Sequence, residues 1–548
     1  TRVDARSHHY PPEPPFMCDW GDSSPRSMWT PSDLRSPAVA PRWSGPNPSP
    51  QGPSAAALGL ADDLNAAISA GKATFVVPAK EYLFSNLTWT IAGAHDMKIV
   101  FEAGASLRFF YGSGVRLKDS HNVTIEGNGL ALEVESANYV QGAVHAVNKA
   151  FVDISVDAAY LQPDTRYEPF SNPSGLYSAA KVAFWDASTR LMHNVGNQFM
   201  ANSTQLDGGL WRITLKQPVH GAAVGDLITI FPRRGETWHL LNSSSITTKQ
   251  VYIHAGGNMG FLEQLGAGGN VYDGVKIVRR PGSTDLLALN ADGFHSSDVG
   301  VGPTLIDSEI SFTGDDFLNI HNSMNIVCDA DGAEGTTLLM IDHTGGTTLA
   351  PLRRGDTLAF YHLNSLAKLA DATVVSSERV SDAQTLGRCA NAWAEMKAPP
   401  YSANIIIPQW HQALYRVTFS APLPAAVAAP RYNLANFEQQ SAAGAVVSRN
   451  HFHDGFSRMG LLKAINLTYT HNLVERAHGL HVYSEQEWLE GDLGIRNVTL
   501  RNNTIVWGSE PNFYAKVDVM PGLHDVNCHD TTFVFANGSR VSLAEGGE

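Results

Sequence analysis

The chain has 548 residues, 43% of them hydrophobic and 17% charged, with a formal net charge of −14. That is a globular composition with ample length for a large core. The acid excess argues against a nucleic-acid partner, which would call for a basic face. No apolar run reaches the roughly 18 residues that predict a membrane-spanning helix.

Residues 1–55 are Pro-rich, from Pro11 to Pro53, and such a segment cannot form a regular sheet. Trp20, Trp29 and Trp43 favour an extended arm docked on the body; partial disorder is the alternative. Ala56–Ala70 reads as one amphipathic helix with Leu58, Leu60, Leu64 and Ile68 on a face. Short β-rich runs follow, broken by Gly, Asn and Asp. They include 74–77, 98–101, 123–126, 152–156, 251–254, 275–278 and 304–312, then 445–448, 466–470, 480–483 and 498–506. No helical segments alternate with them, which predicts an all-β sandwich, barrel or solenoid.

The solenoid is favoured by Asn450, Asn472 and Asn503, which recur in similar strings at intervals of 22 and 31 residues. An Asn at one position of successive turns can build a hydrogen-bonded ladder. Two stretches break the period. One holds Trp211-Arg-Ile-Thr-Leu and Gly225-Asp-Leu-Ile-Thr-Ile-Phe; the other holds Gly355-Asp-Thr-Leu-Ala-Phe-Tyr and Tyr415-Arg-Val-Thr-Phe. They predict two small antiparallel β-domains of similar kind, inserted into solenoid loops. The expected organisation is a Pro-rich arm at 1–55, solenoid at 56–179, an insertion at 180–235, solenoid at 236–327, a second insertion at 328–437, and solenoid with tail at 438–548.

The most informative stretch lies between the insertions: Asn290-Ala-Asp-Gly-Phe-His295, then Thr313-Gly-Asp-Asp-Phe-Leu-Asn-Ile-His321. Asp292 precedes Asp315 by 23 residues and Asp316 by 24, about one solenoid turn. Residues one turn apart stack at roughly 4.8 Å. Three carboxylates then share one patch, and like charges so close push proton affinities apart, as glycoside hydrolysis requires. Asp315 and Asp316 reach one groove only at a bend, which Gly314 makes cheap. Asn290, His295, Asn319 and His321 flank the cluster with donors suited to a carboxylate or a sugar hydroxyl. Arg458, Lys463, His481, Glu485, Trp488 and Glu490 fall on later turns as further substrate-binding candidates, Trp488 by stacking on a sugar face.

These strings, at this spacing, resemble glycoside hydrolase family 110, the exo-acting α-1,3-galactosidases. The segments from Arg458 to Lys463 and from His481 to Asn503 are similar to that family's later coils. The resemblance implies a right-handed parallel β-helix that removes terminal α-linked galactose with inversion and without a metal or other cofactor. It implies Asp292, Asp315 and Asp316 as catalytic residues, with Asp315 the acid and the other two holding the water. Acid and base are then expected roughly 6.5–9.5 Å apart. Pectin-cleaving polygalacturonases share such a helix and an Asp with an Asp-Asp pair, but their Gly-His-Gly and Arg-Ile-Lys motifs are matched by neither His478-Gly-Leu-His481 nor Leu461-Leu-Lys463. A non-catalytic β-helix glycoprotein of an extracellular assembly is the other alternative, and a homo-oligomer stays open.

Eight Asn-X-Ser/Thr sequons, at Asn86, Asn122, Asn202, Asn242, Asn466, Asn497, Asn502 and Asn537, predict secretion through a glycosylating pathway. The start at Thr1 shows no leader, so any signal peptide is expected to be gone. Cys18, Cys328, Cys389 and Cys528 fit no zinc spacing and permit two disulfides in any of three pairings, Cys328–Cys389 with Cys18–Cys528 among them.

Overall fold

The computed structural model describes residues 52–543 except 111, 135–137, 166–179, 194–196, 236, 333, 345–347, 399–412, 429–430, 507–516, 520–525 and 535–539. Trp20, Trp29, Trp43, Cys18 and Asn537 lie outside the described residues, as does the side chain of Cys528.

One helix, Ala55–Ser69, covers the start of the body. Ser54 caps it, its hydroxyl accepting from Ala57 N at 3.1 Å. Its buried face is Ala57, Leu60, Leu64 and Ala67, with Ile68 partly buried against the core; of the expected face Leu58 alone falls outside, 43% exposed.

Each coil then carries three strands, and each strand pairs in parallel with its counterpart one coil on. In the first column Val271 pairs with Thr304, Thr304 with Val446, Val446 with Thr468, and Thr468 with Thr499. In the second, Ile277, Ile310, Phe452, Val474 and Ile505 are successive partners, and all five are buried. In the third, Trp238, Phe261, Phe294 and Leu318 line up, followed by Leu462 opposite Ile320. These large parallel sheets are consistent with a β-helix: alternate residues point into one continuous core, and the strands hydrogen-bond to the coils on either side.

The runs expected at 304–312 and 498–506 are each two strands. Thr304–Ile306 and Glu309–Ser311 meet at Asp307, φ 53°; Val498–Arg501 and Thr504–Val506 meet at Asn502, φ 53°. A coil must turn there, and short polar side chains tolerate the left-handed conformation best. Inside the corner the Asn ladder is present: Asn450 Nδ2 donates to Asn472 Oδ1 at 3.0 Å, and Asn472 Nδ2 to Asn503 Oδ1 at 3.2 Å.

The same corners account for much of the sequon pattern. Asn122, Asn242, Asn466, Asn497 and Asn502 have φ between 47° and 55°. Asn122 and Asn242 donate to Asp96 and Asp119, and Asn497 to Asn466, along the stack. An Asn at a corner followed by a Thr or Ser at the start of the next strand writes Asn-X-Thr or Asn-X-Ser from the fold's own needs.

Two closed six-stranded antiparallel barrels interrupt the coils. The first runs from Val140 to Phe231, between a second-column and a third-column strand. It therefore begins at Val140 rather than at residue 180. Val152–Val156, expected as solenoid, pairs antiparallel with Trp211–Leu215 and with Val140–Val147. A short apolar run does not reveal its partner, so this boundary was invisible in sequence. The second barrel spans Met324–Phe437, starting four residues before the expected 328. Numbered in chain order within each barrel, strands pair 1–2, 1–6, 2–5, 3–4, 3–6 and 4–5 in both. Cys328 and Cys389 are joined by a disulfide in the second barrel.

Candidate active site

The aspartate cluster is a product of coil register. Leu289 pairs with Thr313 and Phe294 with Leu318, so Asp292 and Asp316 stand at equivalent positions of adjacent coils. On the next coil Ile320 faces Leu462, and Arg458 takes the corresponding place, although the whole second barrel intervenes in sequence. Carboxylate oxygens of Asp292, Asp315 and Asp316 all come within 4.8 Å of one another. Gly314 serves this approach by its lack of a side chain: a Cβ there would lie 2.5 Å from the Asn290 carbonyl oxygen. Close contact, not an unusual bend, is what requires the glycine.

Each aspartate has a different partner set. Asp315 is ion-paired with Lys181 Nζ at 2.8 Å and with Arg233. Both cations come from the first barrel, Lys181 opening the strand Lys181–Trp185 and Arg233 following Leu227–Phe231. Asp316 accepts from Arg458 three times, from the backbone N at 2.9 Å, Nε at 3.0 Å and Nη2 at 2.9 Å. Asp292 Oδ2 contacts His295 Nδ1 at 2.7 Å, and His295 Nε2 meets His321 Nε2 at 3.0 Å.

A chain of charges continues outward. Arg458 also pairs with Glu485; Lys463 Nζ bridges Glu485 at 2.6 Å and Glu490 at 2.9 Å; Glu490 accepts from Asn319 Nδ2 at 3.2 Å. Lys463 is fully buried, so its two carboxylates are what make its charge tolerable. Burial alone would raise the Asp316 carboxyl, but the Arg458 charge and hydrogen bonds outweigh it and hold it well below the usual range. The Lys463 charge and hydrogen bond do the same for Glu490, again against burial. Burial, helped by Arg233, pushes Lys181 well below an ordinary lysine. A group of three carboxylates could hold a hard cation, but here the Arg233 and Arg458 guanidiniums already bring positive charge to it.

The remaining candidates divide. Asn290 is fully buried, and its Nδ2 ties the Asn138 and Pro232 carbonyls at 2.9 and 2.8 Å. That makes it a tie between the first barrel and the coils. His481 lies in register with Leu461, its ring 4.9 Å from that of Tyr483. Trp488 closes a short 3-10 turn, Gln486–Trp488, in the loop that brings Glu490 opposite Ser323. Asn319 Oδ1 is buried with no hydrogen-bond partner, so an acceptor is available beside Glu490. Lys181 and Arg233 were not foreseen; the only local signal was a lysine opening a wholly buried strand and a basic pair after another.

No family model matches the chain. Two alpha-1,3-galactosidases A of Bacteroides fragilis are similar to it. That of strain YCH46 is 26% identical over 301 residues, 49% of this chain and 49% of that protein. That of strain ATCC 25285 is 32% identical over 145 residues, 26% of this chain and 23% of that protein. The chain thus spans about half the length, or less, of the curated relatives it matches. Among solved structures, a Yersinia enterocolitica family 28 exopolygalacturonase covers 84% of this chain and 57% of its own, at 12% identity and a TM-score of 0.34.

Proposed function

We propose that this chain is a glycoside hydrolase that removes terminal α-linked galactose from glycans by an inverting acid–base reaction on a right-handed parallel β-helix. The observation that carries the reading is the convergence of Asp292, Asp315 and Asp316 within 4.8 Å, with a different partner set for each. The partial likeness to two alpha-1,3-galactosidases points to the sugar.

The partners suggest the roles. Asp316, held ionised by Arg458, is unsuited to supply a proton. Asp315 is the acid the resemblance implies, and for it to carry a proton its pairs with Arg233 and Lys181 must loosen as substrate enters. Lys181, pushed low, can lie beside a protonated acid without adding a buried charge. The Asp315 proton passes to the glycosidic oxygen as its bond to the anomeric carbon breaks. Water attacks the opposite face and gives its proton to Asp292 or Asp316. The nearest oxygens are closer than the roughly 6.5–9.5 Å expected of an inverting pair. Support for inversion is therefore not a wide gap: a carboxylate that already accepts three bonds from Arg458 is a poor nucleophile. Secretion as a glycoprotein belongs to the same proposal and is checked by the mass lost on enzymatic removal of N-glycans.

Hydrolysis of p-nitrophenyl α-galactoside, unaffected by a chelator, with β-galactose as the first product by proton NMR, is the expected result. Cleavage of polygalacturonate instead, or no cleavage of any glycoside, overturns the reading. Initial α-galactose overturns inversion alone.

A further inference from the structure

We propose that His321, His295 and Asp292 form a proton relay that keeps one proton shared on the Asp292 carboxylate and leaves a single oxygen of it for chemistry. This rests on the hydrolase reading for its purpose, though not for its structure.

Three contacts define the relay. His321 Nδ1 meets the Asn322 carbonyl at 2.9 Å, His321 Nε2 meets His295 Nε2 at 3.0 Å, and His295 Nδ1 meets Asp292 Oδ2 at 2.7 Å. A carbonyl only accepts, so His321 carries hydrogen on Nδ1. Two imidazole nitrogens facing each other need one hydrogen between them. A third belongs on the line to Asp292. Three hydrogen bonds require three protons, and two neutral imidazoles bring two. The third is an extra proton held by the trio.

Its place follows from burial. His321 is 4% exposed, and burial pushes it down to about 3, so it stays neutral and accepts at Nε2. His295 then donates from Nε2, and the extra proton lies between His295 Nδ1 and Asp292 Oδ2. The groups facing the trio are Glu490, 3.9 Å from His321 Nε2, with Lys463 behind it, and Lys181, Asp315 and Asp316 on the Asp292 side.

The consequence is directional. Oδ2 is capped by His295, which leaves Oδ1 as the oxygen for the nucleophilic water. When that water adds to the anomeric carbon, its proton binds Oδ1 and the shared proton moves wholly onto His295 Nδ1. Asp292 becomes neutral, never doubly protonated, and no further reactant is needed. His295 and His321 act through Asp292 and are positioning residues.

Long-range proton–nitrogen NMR of the full chain labelled with 15N-histidine tests the relay. Expected are His321 as the Nδ1–H tautomer with bare Nε2, and His295 with a far-downfield Nδ1 proton that is lost in Asp292→Asn. A His321 protonated on Nε2, or a His295 bare at Nδ1, overturns the proposal. In kinetics on p-nitrophenyl α-galactoside, His295→Gln should lower kcat about 10²-fold, with KM little changed and a shifted pH profile. An unchanged kcat and profile overturns it too. A chain inactive on this galactoside but showing the NMR pattern overturns the substrate reading and leaves the relay standing.

Discussion

At the residue scale the cluster is three carboxylates made chemically unequal by their neighbours. Replacing Asp315 by Asn removes the proton donor and should cost about 10²–10⁴-fold in kcat. The loss should be smaller on a substrate whose leaving group needs little protonation; equal losses on activated and natural galactosides would mean Asp315 is not the acid. Arg458→Lys keeps a positive charge but cannot reproduce the paired Nε and Nη2 contacts to Asp316. Activity should fall, and thermal unfolding should come earlier, because Asp316 and Glu485 are both buried and lose a shared partner. A variant as stable and active as the parent would remove Arg458 from the account. The aspartates were legible in sequence because the 24 residues from Asp292 to Asp316 make one uninterrupted coil, and one coil brings the chain back to the same position in the stack. Lys181 and Arg233 were not, because they arrive from a barrel that enters the stack more than one coil earlier.

At the scale of the element, a coil is held by its corner as much as by its strands. Asn472 is buried and ties three coils: Oδ1 accepts from Asn450, and Nδ2 donates to the Val447 carbonyl and to Asn503. Asn472→Leu orphans those groups, at about 1–3 kcal/mol each, and denaturant unfolding should show a loss of at least that order. Leu58→Gln, on the exposed side of the helix, should change stability by less than about 0.5 kcal/mol. Gly314→Ala places a Cβ against the Asn290 carbonyl and the Phe231 ring, so it must part the coil from the first barrel. Its expected signature is a loss of activity larger than its loss of stability, since Lys181 and Arg233 move away from Asp315. The ladder was readable in advance because an Asn repeated at one position admits little else. The first barrel's start at Val140 was not, since Val152–Val156 has the same local pattern whether its partner is a coil or a barrel strand.

For the whole molecule, buried acids set the response to pH. Burial raises Glu263 to about 6, Asp298 to about 7 and Asp492 to about 6. Such a group ionises more readily in the unfolded chain, so its stability contribution is complete below the unfolded value near 4 and drains away as pH rises through the folded one. His321, pushed down to about 3, works the other way, losing stability as pH falls from 6.5. His254 and His478 are also pushed down by burial, but His453, raised to about 9 by Asp454 and Glu309 against burial, joins the three acids in losing stability as pH rises; the melting temperature should be lower at pH 7.5 than at pH 5, and one that climbs over this interval would contradict it. Asp298→Asn should flatten the slope. The sequence by itself determined an all-β chain, the periodic stack, two inserted domains and the carboxylate cluster, because these rest on local pattern and on distances counted along one repeating coil. Only the tertiary structure decided that both insertions are closed barrels of one connectivity, where the first begins, and which cation or imidazole each aspartate meets. Those contacts join residues separated by whole domains, and no period along the chain encodes a distance that the chain itself does not repeat.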